Sequence, residues 1–312
     1  MKQAWIDILC DPIERTKLTL VDPIIKKGHI VSGKLVGSSG NVYPIKDGIP
    51  ILLPPGVQST SSVQSFAFEW DQWGYLFAKN SWLKNNIRPL LGTELAFKGK
   101  TIVDAGAGSG AQSLWMAQAG AKLVISLELS DTIFTRHKET IKGFEDIIFP
   151  IQCDIAYPPI TLKPDILYCI NVLQHTKDPK ITFANLASLL QKKSIFLFNV
   201  YNKEGFLGSK SVAILRQIIK WLPFRIWRWF SFLVAFGIFT FDKMAPWILK
   251  SKYRDIHYAD NLKELWQQIY DAFGAHAYQF TLSKKEQLDL IKQAHLRIKV
   301  KDSLGYVLVK ER

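Results

Sequence analysis

The sequence predicts an α/β fold: a doubly wound, mainly parallel sheet closed by a C-terminal antiparallel hairpin, with a small β-rich unit in front and a helical insertion after the fifth strand. Three observations carry this. Between Thr101 and Tyr201, short apolar runs alternate with helical segments, the pattern of buried parallel strands and their crossover helices. A glycine-rich turn at 106–110 joins the first run to the first of those helices. The alternation stops over 202–282, then resumes with one helix and two strands whose connection is too short for a crossover.

The elements follow in order. Residues 18–21, 29–36 and 41–45 alternate or run apolar with Gly and Ser between them, and read as short strands of a unit spanning 1–55. KDGIP, 46–50, reads as a turn, and LLPPG, 52–56, opens a Ser/Gln-rich linker. Residues 65–91 read as helices rich in aromatics, so that 56–95 form a linker with aromatic helices. Strands are expected at 101–106, 123–129, 147–154, 164–171 and 194–201, with helices at 113–120, 134–144 and 181–191. A helix at 283–294 with Ser283 as its cap, then strands at 296–300 and 305–311, complete a core of 96–201 and 283–312 around a helical cap at 202–282.

Composition bounds the function. A chain of 312 residues with 48% apolar and 21% charged residues packs a substantial core, and long-range disorder is not expected. Forty bases against 27 acids give +13, which favours anionic partners. The bases are scattered, with no run of five, so nucleic acid is a weak candidate. Cys10, Cys153 and Cys169 are odd in number and far apart, which fits a reducing cytoplasm rather than a disulfide framework. The six histidines are dispersed, without a pair at metal-ligand spacing, and the N-terminus has no signal-peptide pattern.

The sharpest chemical signal is IVDAGAGSGAQS, 102–113. Gly106 and Gly108 let backbone approach a ligand where a Cβ would clash, and Gly110 lets the helix start lie close to the strand. Glu128 ends the second strand, where a carboxylate accepts both hydroxyls of a ribose. These positions fit a nucleoside-containing cofactor, and Gly106-x-Gly108-x-x-Ala111 formally satisfies the dinucleotide fingerprint. Asp104 would repel a pyrophosphate but suits a cationic amino-acid moiety. Asp154 can accept from an adenine amine, and the closing hairpin replaces a second mononucleotide half. A positively charged, methionine-linked adenosine cofactor satisfies all three.

The D-x-G-x-G-x-G run, with Glu128, Asp154 and the block DILYCINVLQHTKDP at 165–179, resembles the class I S-adenosylmethionine (SAM)-dependent methyltransferases of the type 11 kind. The resemblance covers 101–201 closely and 283–311 in layout. It implies a Rossmann-like seven-stranded methyltransferase sheet and SAM as cofactor. It also implies Asp104, Gly106, Gly108 and Gly110 as the methionine and ribose cradle, Glu128 on the ribose, Asp154 with Ile155 on the adenine, and Asn171 at the methyl-donor mouth. GNVYPIKDGIPILLP, 40–54, is similar to the end of the zinc-ribbon activator of tRNA and release-factor methyltransferases. Val36 and Ser39 stand where that domain has its second cysteine pair, and only Cys10 is left of the first. One thiol builds no tetrahedral site, so no zinc is expected and the unit must be held by packing on the core.

Methyl transfer from a sulfonium needs alignment and water exclusion more than a fixed catalytic residue. His175, just past the fourth strand, and His276, at the end of the insertion, are the candidate bases, and Tyr278 and Glu69 are further ligand candidates. Phe66, Phe68, Trp70 and Trp73 read as helix packing or a cofactor lid. The acceptor expected is a small or lipid-like molecule. The rivals are an RNA methyltransferase, against which Asn171-Val172-Leu173-Gln174 replaces the amide-methylating N-P-P-Y, and a SAM-binding scaffold without turnover.

Within the insertion, Lys220–Phe241 is dense in Trp and Phe, and no acid occurs between Glu204 and Asp242. The charge-free run from Arg228 to Asp242 is short for a span, which needs about 20 residues, so crossing a bilayer is not expected. Leu215, Ile218, Ile219 and Leu222 read as one apolar helical face, with Arg216 and Lys220 offset from it. The segment is expected to cap the acceptor side and is a candidate for lying in an anionic membrane surface, making the chain cytoplasmic or peripheral.

Overall fold

The computed structural model describes residues 1–57, 61–204, 210–219, 221–244, 259, 261–273, 280–302 and 305–310. Its centre is β5 (Thr101–Ala105), β6 (Leu123–Glu128), β7 (Ile148–Cys153), β8 (Ile166–Cys169) and β9 (Ile195–Phe198), all parallel. Nearly every residue in these strands is buried, because helices cover both faces. β10 (Leu296–Asp302) and β11 (Gly305–Lys310) form the hairpin, and β11 inserts between β9 and β10, antiparallel to both.

In front of this core come β1 (Thr19–Lys26), β2 (His29–Val36), β3 (Val42–Lys46) and β4 (Ile49–Leu52). The KDGIP turn is confined to Asp47 and Gly48, both at positive φ, and Ile49–Leu52 after it is a fourth strand rather than the start of a linker. β4 then pairs in parallel with β7 through Ile51–Gln152 and Leu52–Cys153. The described strands therefore form one eleven-stranded sheet, in the order β1-β2-β3-β4-β7-β6-β5-β8-β9-β11-β10, where the sequence led us to expect seven and a separate unit. The merger covers the edge that β7 would otherwise leave open.

Asp11, fully buried, is the hub of the front unit. It accepts from the backbone N–H groups of Ile13 and Glu14, from Asn41 Nδ2 at 3.1 Å and from the Tyr43 hydroxyl at 2.8 Å. One carboxylate thus ties the turn after Cys10 to Asn41, just before β3, and to Tyr43 on β3. Cys10 is a buried free thiol. Arg15 fixes the unit to the loop after β7 by donating to the carbonyls of Pro158 and Ile160.

α1 (Ser61–Trp73) leads through short helical turns, including α2 (Lys79–Trp82) and α3 (Arg88–Leu91), into β5. α4 (Ala111–Gln118) follows the glycine turn, α5 (Arg136–Thr140) follows β6, and α6 (Pro179–Ala187) starts on an Asp178 cap with Pro at its first turn. The cap holds α7 (Lys210–Ile219), α8 (Phe224–Met244) and α9 (Leu262–Phe273), and α10 (Lys284–Gln293) returns to the core behind a Ser283–Glu286 capping box.

The cap has its own small core, in which Val212, Ile219, Trp227, Ile269 and Tyr270 pack with Trp73 of α1. On α7 the buried positions are Val212 and Ile219, whereas Leu215 and Ile218 are exposed, so the expected apolar face is only partly covered. Both faces of that helix are apolar, and periodicity alone does not say which one the protein covers. α8 runs unbroken for 21 residues, with Arg225 and Arg228 both in its first turns and Pro223 just outside it. Its stretch Phe224–Phe241 is long and apolar enough to cross a membrane, which removes the length argument against a span.

Candidate functional site

The site lies at the carboxyl ends of β5, β6 and β8, where ligands of open α/β sheets bind. The turn after β5 is pinned to its neighbour: the N–H groups of Gly106 and Ala107 both donate to the Leu127 carbonyl, at 2.8 and 3.0 Å. Gly108 and Gly110 have φ of +52° and +79°. A Cβ on Gly108 would lie 2.8 Å from the Trp70 indole, and one on Gly110 3.0 Å from the His137 ring. Glycine is required here on both counts, conformation and space.

Glu128 holds this loop. Its carboxylate accepts from the Gly108 N–H at 2.7 Å and from the Ser130 N–H at 2.8 Å. A carboxylate offers about four acceptor directions, so capacity is left for a ligand's hydroxyls. His137, which the sequence did not single out, supports the loop from below with Nδ1 3.1 Å from the Gly108 carbonyl. That carbonyl only accepts, so Nδ1 carries the proton. Burial lowers the imidazole pKa to about 4, and the ring is neutral.

Asp104 is buried on the α4 side of the sheet, because strand alternation places it with Ile102 rather than with Val103 and Ala105. The Ser113 hydroxyl donates to it at 2.5 Å and lies 2.7 Å from the Ser126 hydroxyl. Burial raises the Asp104 pKa to about 7 against the lowering effect of the Ser113 bond, with Glu128 adding to the rise. Asp104 thus sits under the loop and lines neither pocket described next.

Two pockets, of about 110 and 70 Å³, meet at Phe66, Trp70, Gly106, Asn171 and Val172. The first runs past Glu128, Leu129, Ser130 and Ile155 to His175 and Thr176, a mainly apolar slot with one carboxylate at its waist. Asp154 lies beside it, accepting from the Ala156 N–H at 2.9 Å, with burial raising its pKa. Asn171 adopts φ +61°; its N–H donates to Asn199 Oδ1 at 2.5 Å, and Asn199 Nδ2 donates back to Asn171 Oδ1 at 2.8 Å. The His175 ring stands edge-on to Phe66 and Tyr201, with centroids 4.7 and 5.7 Å away. His276 and Tyr278 lie outside the described residues.

The second pocket is polar and is built from three distant parts of the chain. It runs from the glycine loop past Gln112 to Glu69 and Tyr75, and is closed by Gln267, Gln268 and Asp271 of the cap. Glu69 is 1% exposed; Gln267 donates to its Oε1 at 3.0 Å, while Oε2 has no partner among the described residues. Burial, then the nearby Asp271, push the Glu69 pKa well above the usual carboxylate range. α1 therefore divides its aromatics: Phe66 and Trp70, one turn apart, cover the two pockets, whereas Phe68 and Trp73 pack into the cap.

This arrangement fits SAM on the structure's own terms. It combines a backbone cradle that a Cβ would fill, a pocket-lining carboxylate with spare acceptor capacity, an apolar slot beside it, and, among the described residues, an unpartnered carboxyl oxygen in the adjoining pocket. Among the described residues no group of three or more His, Cys, Asp or Glu side chains is placed to hold a metal.

A family model described as a methyltransferase domain matches residues 76–268. A histone-arginine methyltransferase from Drosophila ananassae is 31% identical over 94 residues, covering 28% of this chain and 18% of that protein. A ubiquinone biosynthesis O-methyltransferase from Coxiella burnetii is 27% identical over 132 residues, covering 42% and 56%. The chain thus spans between about a fifth and just over half of these relatives' lengths. A solved complex of the Haloferax volcanii Trm112 methyltransferase activator with a methyltransferase overlaps 80% of this chain and 98% of its own, at 14% identity and a TM-score of 0.48.

Proposed function

Since the chain belongs to the methyltransferase domain family of SAM-dependent enzymes, we propose that it methylates a small or lipid-like acceptor held in the pocket of Glu69, Gln267 and Asp271. The single observation behind this is Glu69: a carboxyl 1% exposed, bonded on one oxygen and without a partner on the other among the described residues, in the pocket that adjoins the cofactor cradle. A buried polar atom left unpaired is costly, and a ligand's hydroxyl or amine removes that cost.

When bound, SAM supplies an electrophilic methyl group on a sulfonium. The protein's part is to align and to deprotonate. Glu128 and the glycine loop fix the donor, Asn171 and Val172 line the boundary between the two pockets, and Trp70 roofs it against water. With its pKa raised, Glu69 takes a proton from the acceptor at a pH where an ordinary carboxylate would be a poor base. His175 is wedged between rings on the donor side, which suits positioning better than base chemistry. The ubiquinone biosynthesis O-methyltransferase among the relatives supports a small-molecule acceptor.

In this reading the front unit is a degenerate activator-like module in which Asp11 replaces a metal as the cross-link. The test is incubation with a labelled methyl donor and separated lipid, small-molecule and RNA fractions. Label is expected in a small or lipid molecule. Label in RNA alone would overturn the acceptor assignment, and SAM binding without transfer to any fraction would leave the scaffold reading in its place.

A further inference from the structure

We propose that the outward faces of α7 and α8 dock on an anionic lipid bilayer, lying in its surface rather than crossing it. This is independent of which acceptor the enzyme takes. The outward positions hold Ile214, Ile218, Trp221, Trp229, Leu233 and Phe236, each at least 50% exposed. A solvent-facing helix side normally carries charged and polar residues, and here that pattern is inverted. The inward stripe of α8 is narrow: Trp227, Ser231 and Ala235, one turn apart each time, are its buried positions.

That stripe is also what argues against a span. Trp227 Nε1 donates to the Tyr270 carbonyl at 3.1 Å, and Trp266 Nε1 approaches both the Arg228 carbonyl and the Ser231 hydroxyl. Arg228 lies over the rings of Trp73 and Trp266, at 5.5 and 5.0 Å from their centroids. α8 is thus held through Trp227, Arg228 and Ser231 by α9 and by α1, while its opposite positions are exposed among the described residues. A helix gripped on one face by its own globular domain is suited to lie in an interface at headgroup depth.

Charge chooses the occupant. No acidic residue occurs from Lys210 to Phe241, while Lys210 and Arg225 are exposed at the helix starts. A second copy of the chain would set another basic, acid-free segment against the same face, whereas an anionic bilayer complements it. Trp221, in the turn between α7 and α8, and Trp229 are suited to the headgroup level. The surface belongs to the same cap that closes the acceptor pocket: Phe68 of α1 and Phe224 of α8 are in ring contact at 6.0 Å, and Arg216 of α7 donates to the Ala272 carbonyl of α9.

The experiment is flotation of the full chain with phosphatidylglycerol-containing and with pure phosphatidylcholine vesicles, at low and high salt. Binding to the anionic vesicles that weakens with salt is expected. The Trp229→Ser/Leu233→Ser/Phe236→Ser variant should bind at least ~10-fold more weakly while largely keeping its Tm, because each side chain is at least half exposed and none belongs to the buried core, although Phe236 stacks on Phe232. Protein left in the soluble fraction on anionic vesicles would overturn the proposal, as would equal binding to both lipids at every salt concentration. A dimer in solution that this variant dissociates, without vesicle binding, would assign the face to a second copy instead. Release by alkaline carbonate is expected, and retention would replace surface docking with a span.

Discussion

Gln267 Nε2, on α9 of the cap, donates to Glu69 Oε1 on α1 at 3.0 Å, although 198 residues separate them. This contact closes the polar pocket, because it joins the helix over the glycine loop to the helix that carries Asp271. Among the described residues it leaves Glu69 with one bonded and one unpartnered oxygen.

Glu69→Gln should therefore separate donor binding from transfer. Calorimetric SAM affinity is expected within about threefold of the parent, with transfer reduced on the order of 100-fold, the usual scale for losing a general base. In the parent, the rate should rise with pH through an apparent pKa above the normal carboxylate range, and the variant should lose that limb. Unchanged transfer in the variant would remove Glu69 from the chemistry.

Asp104 and His137 should give opposite and partly cancelling pH dependences of stability. Asp104 is raised to about 7, so its contribution is present at low pH and lost as pH rises towards 7. His137 is lowered to about 4, so its contribution is present above the unfolded value near 6.5 and lost as pH falls towards 4. Asp104→Asn should make Tm rise more steeply between pH 4 and 6.5 than in the parent. His137→Gln should flatten that rise. Thermal melts across this range decide both.

Gly108→Ala should disturb the cradle and spare the fold. The new methyl group meets the Trp70 indole at a backbone φ of +52°, and a non-glycine residue there costs about 1–2 kcal/mol. A small fall in Tm with a large fall in SAM affinity is expected. Unchanged affinity would move the cofactor away from this loop.

Asp11→Ala should loosen the front unit, since it leaves the Tyr43 hydroxyl, Asn41 and two backbone N–H groups without their acceptor. A loss of about 2–4 kcal/mol is expected in denaturant unfolding. Because β4 is bonded to β7, the loss should appear in the single main transition.

Much of the core was legible in the sequence, because buried parallel strands are continuous apolar runs and the glycine turn needs its residues for conformational reasons. Glu128 lines the pocket, as strand-end geometry led us to expect. Asp104 was legible as an acid near the loop, but the alternation of β5 turns it to the other face, onto Ser113. β4 was missed because only Ile51 and Leu52 pair with β7, too few residues to leave a periodic signal. The Glu69–Gln267 contact was beyond reach, since nothing local marks two polar residues as partners across an insertion. Which side of α7 is covered was not legible, because apolar residues occupy both of its sides.

The most direct test of the central claim is calorimetric titration of SAM into the parent chain and into Glu128→Ala, with Tm recorded for both. The account predicts saturable binding to the parent and at least ~10-fold weaker binding to a variant that is still folded, since Glu128 both orients Gly108 and faces the pocket. No binding to the parent, or equal binding to both, would contradict it.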